Sequence, residues 1–333
     1  MATIKDVARL AGVSVATVSR VCNGSAAVSE ETRRLVLDVA ARLGYTPHGA
    51  ARSLITSRTS TIGVLLPDLY GEFFSEVIRG IDQTAQEGGY HLLVSSSHDE
   101  EREIATAFRA MRGRVDGLLL MSPDLDARAA VHALPDHFPV VLLNCPAERD
   151  EYDSVVIDNY GGARTVVRHL IDCGHRRIAM ITGRERNHDA VERRRAFRDA
   201  TREAGIPEED AMEAVGDFGE ASGFRAASEL LREPRRPTAI FAANDSMAIG
   251  ALSALREGGV SVPEEVGVVG FDDIPMARYM NPPLTTVHVD INALGARATR
   301  LLLEHVRDVP PRAHRQEVVP TRLIVRRSCG STA

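Results

Sequence analysis

No apolar run in this chain of 333 residues is long enough to cross a bilayer. The long apolar runs, such as Gly117–Met121 (GLLLM) and Pro139–Leu143 (PVVLL), are strand-length, against the ~20 residues a spanning helix needs. The first residues, MATIKDVARL, interleave acid and base with no apolar secretory stretch, so a cytoplasmic address without membrane contact is expected. The four cysteines (Cys22, Cys145, Cys173, Cys329) form no CxxC pair and read as free thiols of a reducing compartment. The signatures of phosphate-cradling and nucleophilic enzymes are also missing. At the first apolar strand the chain reads GVLLPDLYGEFF, with no GxGxxG after it, and GxxxxGK[ST], GxSxG and HExxH do not occur. His169 and His175 lack a second pair of metal-ligand candidates, and the adjacent Asp272 and Asp273 must point apart. The chain is therefore expected not to be an enzyme, with no catalytic residue, no cofactor and no metal.

Charge of one sign is scarce where it would matter for a polyanion, except at the start. The whole chain has 40 Lys/Arg against 46 Asp/Glu, formally −6; residues 1–60 hold eight against four, leaving 32 against 42 for the other 273. A small basic head on an acidic body points to the head as the part that meets nucleic acid.

The head reads as three short helices. In TIKDVARLA, Ile4, Val7, Ala8 and Ala11 fall at i, i+3, i+4 and i+7, with Thr3 and Asp6 as an acidic capping box and Gly12 as the stop. Ser14 is a good N-cap for a second helix, VATVSRVCN, with Val18 and Val21 inward and Val15, Ala16, Ser19 and Arg20 outward. A third helix follows Ser29, with Leu35, Val36, Val39, Ala40 and Leu43 as its apolar set and Gly44 as its end. A tight glycine-containing turn before a second helix that keeps one face open is the arrangement that lets a helix enter a major groove. Then Tyr45–Ser60 reads as a linker, broken at Pro47 and Gly49, in which residues 50–54 could form a turn or two of helix. Leu54 beside Arg52 makes a poor core element but a plausible wedge between base steps.

From residue 60 the period alternates. Strands are expected at 61–66, 91–95, 115–121, 139–143, 154–157, 177–182, 238–242, 266–270 and 323–326. Helices are expected at 72–88, 100–112, 160–173, 189–204, 220–232, 246–257 and 291–307. Almost wholly apolar strands separated by helices imply parallel sheets covered on both faces, and two α/β lobes suit this length better than one sheet. A ligand then belongs beyond the carboxyl ends of the strands, between the lobes. The residues at those ends are acids, amides, an arginine and rings: Asp68, Phe73, Phe74, Asn144, Asp189, Arg193, Phe218, Asn244, Asp245, Asp272 and Asp273. Several could simply be helix caps; together they suit a polyhydroxylated ligand.

These segments carry a resemblance. TIKDVARLAGVSVATVSRVCNG, LGYTPHGAARSL, STIGVLLPD, VIDNYGGARTVVRHLIDCGHRRIAMITG, FAANDSMAIGAL, VPEEVGVVGFDDIPMARYMNPPLTTV and TRLIVRRS resemble the lactose/galactose repressor (LacI/GalR) family of bacterial transcription regulators over nearly the whole length. The resemblance implies an α/β fold with a two-lobe core like a periplasmic binding protein, parallel sheets flanked by helices, preceded by an all-α helix-turn-helix head. It implies a DNA-binding domain over 1–46, a hinge over 47–59, one lobe from 60–158 with 289–318, and the other from 159–288 with 319–330. It implies a homodimeric repressor that binds palindromic double-stranded operator DNA and is controlled by a small-molecule effector, with a sugar as the expected ligand.

By the same resemblance, Val15, Ala16 and Arg20 are base readers, Thr3, Ser14, Thr17, Ser19 and Asn23 are phosphate contacts, and Ala51 and Leu54 are hinge residues at DNA. Phe73, Asn144, Asp189, Arg193, Phe218, Asn244 and Asp272 are the matching effector contacts. The chain departs from the family pattern at His48–Gly49, where an Asn–Ala pair is common, and at Met121 and Val289, where polar contacts are common. It also has Asn187 where the purine-binding branch has arginine, and it lacks a heptad tail.

Overall fold

The computed structural model describes residues 2–22, 28–45, 58–97, 101–124, 131–132, 134–135, 137–145, 151–307 and 314–330. The chain divides into two units, Met1–Thr61 with Gly113–Asp116, and Ile62–Arg112 with Gly117–Ala333.

The first unit contains α1 (Ile4–Ala11), α2 (Val15–Cys22) and α3 (Glu30–Leu43). Each is delimited by the chemistry read from the sequence. Thr3 and Asp6 form the capping box, Ser14 Oγ accepts from Thr17 N at 3.1 Å, and Ser29 caps α3. Gly12 and Gly44 end α1 and α3 at φ 66° and 61°, a left-handed conformation that glycine adopts without a Cβ penalty. Val7, Ala8, Ala11, Val18, Val21, Val36, Val39 and Ala40 form a core separate from that of the second unit. Leu35 departs from the expectation and is 45% exposed. Val36, Val39, Ala40 and Leu43 already occupy i, i+3, i+4 and i+7, so the residue before them lies about 100° round the helix and off the buried stripe. The chain leaving this unit is fastened by Asp116, whose carboxylate accepts from Thr59 N, Thr59 Oγ1 and Ser60 N at 2.6, 2.8 and 2.9 Å.

The second unit is built on two six-stranded sheets. The first has the order β11 (Gln316–Val319), β5 (Ser154–Ile157), β4 (Val140–Leu143), β3 (Gly117–Met121), β1 (Thr61–Leu66), β2 (His91–Ser96). The second has β12 (Thr321–Ile324), β10 (Thr285–Val289), β9 (Gly267–Asp272), β8 (Ala239–Ala242), β6 (Ile178–Thr182), β7 (Ala211–Val215). β1, β3, β4, β5 and β11 pair in parallel, with Ile62 opposite Gly117 and Leu118 opposite Val140. In the second sheet all pairs are parallel except β10 with β12.

Central strands β3, β6, β8 and β9 are buried throughout, which is why they are apolar without alternation. Helices cover the faces: α4 (Glu72–Glu87), α5 (Glu101–Met111) and α10 (Ile291–Val306) with the first sheet, and α6 (Asn159–Asp172), α7 (His188–Glu203), α8 (Glu220–Leu230) and α9 (Asp245–Glu257) with the second. The chain passes between the sheets three times: from β5 to α6, from β10 to α10, and from β11 to β12.

Strands β7, β10 and β11 were not among those expected. β7 and β11 are sheet edges with partly exposed residues, and β10 buries Thr285 and Thr286, which bond Ser328 and Asp245 instead of presenting an apolar run.

Candidate functional site

In the head, α2 turns Val18 and Val21 into the core and leaves Ser14, Val15, Ala16 and Arg20 exposed, with Thr17 and Ser19 half-buried. Ser14 Oγ and Thr17 Oγ1 lie 2.9 Å apart at the start of α2, so both hydroxyls sit where the helix presents its unpaired N–H groups. Thr3 is exposed at the start of α1, its hydroxyl bonded to Asp6 Oδ2 at 2.8 Å. Of the expected contacts, Val15, Ala16, Thr17, Ser19 and Arg20 lie on α2, and Thr3 and Ser14 stand immediately before α1 and α2; Asn23, His48, Gly49, Ala51 and Leu54 lie outside the described residues.

In the second unit, a cleft of about 400 Å³ opens where the carboxyl ends of strands from both sheets meet the starts of α4, α7, α8 and α9. Six of the seven expected effector residues line it: Phe73, Asp189, Arg193, Phe218, Asn244 and Asp272. Asn144 does not. It is buried behind Asp189, donating from Nδ2 to Asp189 Oδ2 at 3.2 Å and accepting from Ile157 N at 3.2 Å.

Arg193 is the centre of the buried polar group. Its Nε donates to Asn159 Oδ1 at 2.8 Å, its Nη1 to the Ala243 carbonyl, its Nη2 stands 3.4 Å from Asp272 Oδ1, and its guanidinium lies 3.7 Å from the Phe271 ring centroid. Asp272 Oδ1 is buried with no hydrogen bond. Burial pushes the Asp272 carboxyl up to about 7; Arg193 opposes that rise and the neighbouring Asp189 adds to it. Burial also raises Asp189, against the pull of Arg193 and a 2.8 Å hydrogen bond from Asn159 Nδ2. As read from the sequence, the next residue points elsewhere: Asp273 holds His288 Nδ1 at 2.9 Å and Arg326 Nη2 at 2.7 Å.

The two expected rings differ in their support. Phe73 meets Phe74 edge-on, centroids 5.5 Å apart. Phe218 has φ 74° and lies over Gly183, where a Cβ would come within 2.3 Å of its Cζ. Asn144, Phe218 and Asp272 all have positive φ, at 44°, 74° and 108°. Such conformations cost about 1–3 kcal/mol each and persist where the surroundings fix them, most often at functional sites. Asn244 is both cap and lining: its Oδ1 accepts from Met247 N at 2.9 Å and its Nδ2 donates to the Phe218 carbonyl at 2.9 Å, so it fixes the backbone carrying the ring.

Met121 lines the cleft as expected from its position, whereas Val289 is buried away from it. Asn187 caps α7 through Ala190 N and donates to Asp124 Oδ1 at 2.7 Å. Sequence reasoning missed Tyr70, Glu72, Arg184, Asp217, Glu220 and Ser246 as lining residues. Glu72, Glu220 and Ser246 open the same helices as residues that were singled out, a signal that could have found them. Tyr70, Arg184 and Asp217 sit in loops, and a residue's place in a loop is not fixed by periodicity. Among the described residues no helix is long and apolar enough to cross a membrane.

Comparison with known proteins places both units. Residues 3–48 match the bacterial regulatory proteins of the lacI family, and residues 167–329 match the periplasmic binding protein-like domain. The HTH-type transcriptional repressor PurR of Erwinia tasmaniensis is 38% identical over 98% of this chain and 97% of its own length. The lac repressor dimer bound to operator and an anti-inducer superposes with a TM-score of 0.87 at 30% identity, over 98% of this chain and 99% of that one. A complex of the transcriptional regulator CelR with cellobiose gives a TM-score of 0.74 at 34% identity, over 98% and 100%. With a helix-turn-helix head, two parallel-sheet lobes around a polar cleft, and relatives matched over 98% of its length, the chain is a DNA-binding transcription regulator and belongs to the lacI family of bacterial regulatory proteins.

Proposed function

We propose that the protein acts in the cytoplasm as a homodimeric repressor of a near-palindromic operator, released or engaged by a sugar held between the lobes. The observation that carries this reading is the buried Arg193–Asp272 pair. It leaves an acceptor without a hydrogen bond in the wall of a 400 Å³ cleft, in a chain whose head presents Val15, Ala16 and Arg20 on an exposed helix face. Carboxylates and amides beside the Phe73 and Phe218 rings match hydroxyls and the apolar face of a sugar. The cellobiose complex of CelR and the operator-bound dimer of the lac repressor support the same reading. Against a purine, Asn187 is already bonded to Asp124 and to its own helix.

In this proposal Arg20 makes the bidentate guanine contact, Val15 and Ala16 pack on base edges, and Thr3, Ser14, Thr17, Ser19 and Asn23 meet phosphates. Ala51 and Leu54 act at the operator centre. Phe73, Asp189, Arg193, Phe218, Asn244 and Asp272 hold the effector, with Asn144 orienting Asp189. The working division is 1–46, 47–59, 60–158 with 289–318, and 159–288 with 319–330; strand membership of the two sheets supports the core boundaries.

The test is fluorescence anisotropy or gel shift of the full-length protein on DNA from upstream of its own gene, with sugars and purine bases added singly. A two-fold site bound in the nanomolar range and shifted by a sugar is expected. Absence of sequence preference at low salt removes the repressor reading, and a response to purines alone removes the sugar.

A further inference from the structure

Four helices, α4, α7, α8 and α9, begin in the wall of the cleft. A helix N-terminus ordinarily favours a phosphate, because unpaired N–H groups and the helix dipole both attract negative charge. Here each of the four has a carboxylate in its first turn: Glu72, Asp189, Glu220 and Asp245. Asn187 and Asn244 further cap α7 and α9 with their own side chains. The positive ends are answered from within the chain.

The lining continues the pattern. Asp68, Glu72, Asp189, Asp217, Glu220 and Asp272 face two guanidiniums, Arg184 and Arg193. Arg193 is engaged by Asn159, Ala243, Asp272 and the Phe271 ring, and Arg184 stands 3.7 Å from Asp124. On the acceptor side, Asp272 Oδ1 is buried with no hydrogen bond. The upward shifts of Asp272 and Asp189 have the same origin, buried negative charge incompletely compensated. A donor or a cation entering the cleft relieves that state, and an anion worsens it.

We infer that the cleft selects its ligand by charge: it takes a hydroxylated ring that is neutral or carries a protonated amine, and rejects the phosphorylated or carboxylated form of the same ring. This rests on the cleft being the effector site and narrows the ligand class within that reading.

The experiment is calorimetric and thermal-shift titration of the full-length protein with matched sets: glucose, glucosamine, glucose 6-phosphate and glucuronate; galactose with its amine, phosphate and uronate; ribose with ribose 5-phosphate. In any set that binds, the phosphate and the uronate are expected at least roughly tenfold weaker than the parent and the amine equal or tighter. A phosphate or uronate that binds as well as its parent overturns charge selection while leaving the effector reading intact. If no set binds and operator affinity is unaffected by any member, the sugar-effector reading fails and this inference with it. Asp217→Asn with Glu220→Gln separates charge from shape: the ratio of parent to phosphate affinity should fall severalfold, and an unchanged ratio would make the exclusion steric and overturn the proposal.

Discussion

Arg20 and Asp272 show how differently two charged side chains act in this chain. Arg20 is exposed on the open face of α2, so its removal leaves the head core of Val18 and Val21 untouched. Arg20→Ala should weaken discrimination between operator and random DNA, costing about 1–3 kcal/mol per half-site on the operator alone, with salt-sensitive binding to random DNA retained. Equal losses on both DNAs, measured by anisotropy, would assign Arg20 to the backbone instead. Asp272 is the opposite case. Its carboxyl is raised from 3.8 to about 7, so folding takes up a proton between those values. The stability this group contributes is complete below pH 4 and is lost as pH rises through about 7, an effect of at most roughly 4 kcal/mol. The melting temperature should therefore fall between about pH 4 and 7 on account of this group and level off above pH 7. Asp272→Asn should flatten that fall without abolishing it, because burial raises Asp189 and Asp245 in the same direction. Asparagine shares aspartate's tolerance of positive φ, so the variant keeps the backbone and tests the charge. A pH slope identical to that of the unaltered protein would assign the linkage to other groups.

Between residue and molecule, the elements were legible wherever one physical signal dominated. The head helices announced themselves through caps and 3.6-residue spacing, and the central strands through uninterrupted burial. The edge strands β7 and β11 were not legible, since half-exposed strands such as AMEAV and QEVV satisfy no strong pattern. β10 was hidden by threonines whose partners, Ser328 and Asp245, are distant in sequence. In the cleft, residues at strand ends were readable as types, but which of them line the space depends on turns: Asn144 and Asp189 both follow apolar strands, yet only Asp189 reaches the cleft. Helical glycines were equally silent. At the crossing of α4 and α10, a Cβ on Gly80 would lie 2.1 Å from the Asn292 carbonyl oxygen, and one on Gly295 2.4 Å from that of Val77. Neither backbone atom can swing aside as a side-chain end would. Gly295→Ala should therefore lower stability by about 1–3 kcal/mol through forced separation of the two helices, against the gain that alanine brings to an unconstrained helix. Denaturant melts that show no loss would mean that the crossing relaxes without cost. Gly183→Ala belongs to the same class but reports on the site, because the atom in the way is the Phe218 ring; effector affinity should drop with a smaller loss of stability.

For the whole molecule, residues of the two lobes beside the cleft are bonded to one another. Asp124 Oδ1 accepts from Asn187 Nδ2 at 2.7 Å, the Pro123 carbonyl accepts from His188 N at 2.8 Å, and Glu72 Oε2 accepts from Met276 N at 2.9 Å. Asn144 adds a buried bond to Asp189 at 3.2 Å. Packed sheets on either side make each lobe stiff, so relative movement of the lobes is the soft coordinate that a ligand between them can bias. A ligand shifts such an equilibrium only by its difference in affinity for the two arrangements. Whatever factor the effector imposes on operator affinity, the operator must impose on effector affinity. Titrating the effector with and without operator, and the operator with and without effector, should return one factor, within about 5–150-fold for ordinary allosteric coupling. Asp124→Ala deletes the bond from Asn187 and the ion pair with Arg184 without touching the head or the Arg193–Asp272 pair. If closure of the lobes carries the signal, both factors should shrink together toward one, while operator affinity in the absence of effector keeps its salt dependence, which follows the number of phosphates neutralised. Two factors that stay large and equal in the variant would show that the message travels by a route other than lobe closure at Asp124. Two factors equal to one in the unaltered protein would mean that effector and operator do not act on a common equilibrium at all.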